Sequence, residues 1–144
     1  MNVSQKCQYA LRALFELSRS PANEPVRIGD IAEAQAIPGR FLEVILAQLK
    51  QGGFVVSRRG KEGGYLLARQ PQAITVGEVV RFVDGSTHPV KCLGERGATC
   101  LFKGDCDFMW VWDKAAEALN AVYDKITLAD LVERQRRGER RPVA

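Results

Sequence analysis

The chain holds one histidine, His88, and no two of its four cysteines stand two residues apart. One imidazole in a turn-rich stretch cannot seed a Ser/His/Asp or Cys/His constellation. Without C-x-x-C there is neither a thiol-oxidoreductase pair nor a zinc-ribbon knuckle. These gaps exclude the common catalytic designs, and the chain is read as a non-enzyme. Long apolar runs are also missing, and nothing approaches the roughly 20 residues of a membrane-crossing helix. Residues 1 to 10 carry neither the apolar core nor the cleavage pattern of an export signal. A cytoplasmic protein with no membrane partner is therefore expected. In that reducing setting cysteines serve metal or redox chemistry more often than disulfides. No internal repeat is found, which rules out a solenoid.

What is present is ordinary in bulk. With 144 residues, 46% of them hydrophobic and 26% charged, the chain can bury a core without staples. A net charge of +4 and a pI near 9.0 permit nucleic-acid binding without requiring it.

The distinctive stretch runs from Cys92 through Cys100 to Cys106, a C-x7-C-x5-C pattern with three glycines and no helix or strand period. Such a loop can bend its thiols toward one point, and three soft thiolates suit an iron–sulfur cluster whose fourth ligand lies elsewhere. Inert thiols or a small disulfide are the plainer reading of the same residues.

Upstream, the apolar spacing predicts a first helix over residues 4–18 and a second over 28–34. A third, beginning at Pro38 and ending near Gln51, carries Phe41, Leu42, Ile45, Leu46 and Leu49 as its inner stripe. Pro38 suits a first turn, and Gly52-Gly53 supplies the stop. A helix pair with a tight turn and a polar outer face on its second member is a helix-turn-helix pattern. Residues 54–58 and 65–68 read as strands around a basic glycine-rich turn, that is, as a wing whose tip bears Arg58, Arg59 and Lys61. Thr75 to Glu78 is a capping box opening a helix that ends at Gly85. Beyond Cys106, Phe108, Val111/Trp112, Ala115, Ala118/Leu119 and Val122 step along a long helix that either packs back on the core or, the favoured reading, packs on a second subunit. Thr127 to Asp130 opens a short last helix.

The fold class expected is mainly α with a small β-hairpin, a winged helix-turn-helix followed by a long dimerisation helix. Residues 1–85 form the DNA-binding domain and 86–106 the cysteine-rich loop. Residues 107–132 hold the dimerisation and last helices, and 133–144 a disordered basic tail.

Together these parts resemble the Rrf-two family of winged-helix regulators, the family of IscR, NsrR and RirA. The match rests on Tyr9 to Leu14, Ile31 to Glu33, Phe41-Leu42-Glu43 with Leu46 and Leu49, Arg58-Arg59-Gly60 and Gly63 to Leu67. Ile74 to Val79, the three cysteines, Trp112 and Thr127 to Leu131 complete it. The resemblance implies a homodimer on a palindromic operator in double-stranded DNA. It also implies a 2Fe–2S or 4Fe–4S cluster on Cys92, Cys100 and Cys106, and a transcriptional regulator, a repressor, that senses iron, redox state or nitric oxide. The seven-residue gap is similar to the iron-responsive type. Where IscR-like members place a histidine ligand, three residues past the last cysteine, this chain has Met109. The fourth ligand is open among Cys7 or Gln8 of a partner chain, His88, Glu95, Asp105, Asp107 and a bound small molecule or water. For DNA, Arg40, Lys50, Arg58, Arg59 and Lys61 are the expected cations. Arg40 can pair with guanine, and Glu43 can accept from cytosine. The alternative is a winged-helix regulator without a cluster, switched by its cysteine thiols or a small ligand.

Overall fold

A computed structural model describes residues 2–94 and 100–139 of the chain. Seven helices and one hairpin follow in the order α1 (Gln5–Arg19), α2 (Ile28–Gln35), α3 (Gly39–Gln51), β1 (Val55–Arg58), β2 (Gly64–Leu67), α4 (Val76–Asp84), α5 (Lys91–Gly94), α6 (Met109–Lys125) and α7 (Leu128–Arg136).

The core forms around α1, whose Ala10, Ala13 and Leu14 are fully buried against Ile31 of α2, Leu42, Leu46 and Leu49 of α3, and Val79 of α4. Four spaced apolar residues, 42, 45, 46 and 49, complete the inner stripe of α3. Phe41, expected in that stripe, is instead 50% exposed, because it lies at the edge of the arc that those four span rather than within it.

Helix ends follow their local chemistry. The Ser4 hydroxyl caps α1 by accepting from the Cys7 N–H at 3.0 Å. Thr75 and Thr127 close the reciprocal capping boxes of α4 and α7, and Gly85 ends α4. Pro38 is the residue just before α3 rather than inside its first turn. The turn between α2 and α3 passes through Ala36 in the left-handed region at φ 51°.

β1 and β2 pair antiparallel, Val55 opposite Leu67 and Arg58 opposite Gly64. Val26 bridges to Tyr65, so the segment before α2 lies along the wing. Gly64 is required there, since a Cβ would run into the Val26 carbonyl.

Two differences from expectation lie in the second half. The cysteine segment is not wholly irregular: Lys91–Gly94 forms one helical turn. α7 packs back on α1, with Leu128 fully buried in the core, so it belongs structurally with the winged helix rather than with α6. It reaches Arg136, which makes residues 133–136 helical, while residues 140–144 lie outside the described part. Among the described residues no helix is long and apolar enough to cross a membrane.

Candidate nucleic-acid interface and cysteine strap

α3 presents its outer face to solvent through Arg40, Glu43, Val44, Ala47, Lys50 and Gln51. On one flank the Lys50 ammonium donates to the Ser57 hydroxyl at 2.6 Å, tying the helix to β1. On the other, Phe41 and Val44 line a shallow apolar groove of about 340 Å³ shared with Gln5, Lys6, Tyr9 and Ile45. The Arg40 guanidinium sits 5.2 Å from the centre of the Phe41 ring, a cation–π pair that holds the cation at the start of the helix. Glu43 is exposed on the same helix.

The wing is latched to the body by two arginines. Arg27 donates to the Lys61 carbonyl oxygen at 2.7 Å, and Arg58 donates to the Asn23 carbonyl oxygen at 3.2 Å. Arg58 therefore serves the hairpin's posture, and Arg27 joins it although no periodic or motif signal marks that position. Arg59 and Lys61 are exposed at the tip, and among the described residues neither enters an ion pair. Their charges are available to phosphate.

The three strap cysteines carry no disulfide; Cys92 is exposed, and Cys100 and Cys106 are half-buried. Accessible, unpaired thiols are the right donor type for an iron–sulfur group. Among the described residues, however, no three His, Cys, Asp or Glu side chains converge on one point. Of the other candidate ligands, Asp105 and Asp107 are exposed. His88 is exposed and shares a 2.6 Å hydrogen bond with the Ser86 hydroxyl through Nδ1. Gln8 is exposed and donates to the Val3 carbonyl oxygen at 3.2 Å. Glu95 lies outside the described residues. Cys7 is fully buried in the shell of α1, and burial, then the nearby Asp84 carboxylate, push its thiol up to about 12. A thiol held protonated inside the fold is a poor ligand for another chain.

Strap and winged helix meet at a polar seam that hydrophobic patterning does not reveal. Thr87, buried at 2% exposure, donates to Asn120 Oδ1 of α6 at 2.7 Å. Arg81 of α4 reaches Asp124 at 2.6 Å and Asn120 at 3.4 Å. Gly77 lets α4 lie against that edge, since a Cβ there would strike the Asp124 carboxylate. At the other end of α4, Asp84 accepts from the Ser4 N–H at 2.9 Å and also binds the Ser4 hydroxyl, joining the start of α1 to the root of the strap.

The family model described as Rrf2, iron-dependent transcriptional regulator, matches residues 3–134. The chain belongs to the Rrf2 family. It is 35% identical to the HTH-type transcriptional regulator IscR of Yersinia pestis over 135 residues, covering 94% of this chain and 81% of that one. IscR of Klebsiella pneumoniae matches at the same identity over 94% of this chain and 82% of its own. Among solved structures, T. potens IscR superposes with a TM-score of 0.76 at 32% identity, covering 99% of this chain and 94% of that one. CymR, titled the global cysteine regulator of B. subtilis, gives 0.75 at 29%, covering 92% and 97%. This Rrf2 chain is thus a DNA-binding transcriptional regulator of the IscR type with a winged-helix fold, and it is not an enzyme.

Proposed function

We propose that Cys92, Cys100 and Cys106 hold a 2Fe–2S or 4Fe–4S cluster. The protein then acts in the cytoplasm as a homodimeric repressor on a palindromic operator, responding to iron supply, redox state or nitric oxide. One observation carries the reading: three unpaired, accessible thiols lie on a strap hydrogen-bonded at its root, through Thr87, to the helix α6 that leaves the DNA-binding body. The fourth ligand position is assigned to an exposed side chain, with Gln8 of the partner favoured over the buried Cys7. When bound, the cluster supplies a redox-active, nitric-oxide-reactive anchor for the thiols. The chain's own part is mechanical. A held strap keeps Thr87 on Asn120 and fixes α6 against α4; a released strap loosens that seam and changes the spacing of the two recognition helices. DNA affinity then shifts by the difference in strap stability between the competent and incompetent arrangements.

Replacing Cys92, Cys100 and Cys106 together by serine tests this. Anaerobically purified protein should be brown and iron-loaded, the variant colourless, and its operator affinity changed at least fivefold in a band-shift titration, the lower end of usual allosteric couplings. Unchanged iron and unchanged affinity would refute it. A second reading is favoured by thiols that do not converge among the described residues: the strap cysteines act as a thiol switch. Colourless protein whose affinity follows thiol oxidation would establish that reading instead.

A further inference from the structure

The outer face and one flank of α3 carry two large apolar side chains that the core does not use. Phe41 is 50% exposed and Val44 57%, while Leu42, Ile45, Leu46 and Leu49 already fill the interior. Both lie in the first turns of the helix that a helix-turn-helix protein lays in the major groove, where N-terminal residues meet base edges. The apolar feature of that groove is the 5-methyl group of thymine. Arg40, held at 5.2 Å over the Phe41 ring, places a guanine-reading cation beside that surface. Lys6 on the rim of the shared groove adds positive charge toward the backbone.

We infer that Phe41 and Val44 are specificity-determining residues that recognise thymine methyl groups in the operator, next to a base read by Arg40. The inference rests on the DNA-binding assignment and goes beyond it by naming which side chains read which base feature. The patch is continuous with a cationic surface, and nucleic acid is its occupant in preference to a second copy of the chain.

The test uses the full chain and a duplex selected from a random pool. Each thymine of that duplex is replaced singly by deoxyuridine, which removes the methyl and nothing else. At one or more positions wild type should lose about fourfold in affinity, the factor corresponding to one methyl-sized group returned to water. In Phe41→Ala or Val44→Ala that same replacement should cost nothing, and Phe41→Leu should retain part of the effect. Melting curves confirm that the variants fold. Thymine and uracil duplexes bound alike by wild type, or a uracil penalty unchanged in both alanine variants, would overturn the inference. So would a Phe41→Ala protein that loses its dimer in sedimentation while the uracil penalty persists, since the patch would then be a subunit contact. Failure to select any duplex would refute the DNA assignment itself, a result distinct from all of these.

Discussion

Cys7 and the strap cysteines differ in their exposure. Cys7 is sealed under α1 with its thiol raised from 9.0 to about 12 by burial and then by Asp84. The folded protein therefore holds that proton more tightly than the unfolded chain does. The stabilisation is fully present below 9.0 and drains away as pH climbs toward 12. Iodoacetamide at pH 8 should label Cys92, Cys100 and Cys106 of metal-free protein and spare Cys7, as read by peptide mass. Thermal melts between pH 8 and 11 should fall more steeply for wild type than for Cys7→Ala. Prompt labelling of Cys7 in folded protein would contradict its burial. Among the basic residues a similar division holds. Arg27 and Arg58 spend their guanidinium groups on backbone carbonyls and shape the wing, whereas Arg59 and Lys61 face solvent.

At the level of elements, the contact between α4 and α6 is the route by which the proposed strap switch would reach the winged helix. Its ion pair, Arg81 with Asp124, is roughly half exposed on both sides and contributes little by itself. A Cβ at Gly77 would meet only the free ends of the Asp124 and Arg81 side chains, so it displaces the Asp124 carboxylate from Arg81 at little cost in stability. Gly77→Ala should change the protein's stability by no more than about 1 kcal/mol, since the ion pair it disturbs is exposed and alanine suits a helix better than glycine. It should also weaken the response of DNA affinity to strap oxidation, measured by band shift before and after treatment. A variant with full response would show that the seam carries no coupling.

Across the whole molecule, α6 is the longest helix among the described residues and is little covered by its own chain. Ala116 is its one buried residue among those described, with Trp112, Leu119, Asn120 and Tyr123 partly covered. The opposite stripe, Val111, Ala115, Ala118 and Val122, faces solvent, and Trp110 is 69% exposed. A stripe of this length at four-, three- and four-residue steps matches a helix packed on a second copy. Val111→Glu with Val122→Glu should give a monomer by sedimentation that keeps its helical circular dichroism and loses tight operator binding. A dimer that survives both charges would place the subunit contact elsewhere.

Much of this architecture was legible in the chain itself. The helix-turn-helix, the wing, both capping boxes and the strap rest on local signals: apolar spacing, glycine turns, a threonine three residues before an acidic side chain. Those signals act over a few residues, so sequence is enough to determine them. Tertiary structure decided what depends on partners far along the chain. It left Phe41 half exposed because the buried arc of α3 centres on Leu42, Ile45, Leu46 and Leu49, and it buried Cys7, one of the candidate ligands. It also fixed the inward face of α6 through Asn120 and Asp124, polar residues gripped by Thr87 and Arg81 from 33 to 43 positions away. Hydrophobic periodicity records which residues avoid water. It carries no information about which polar groups find one another once the chain has folded.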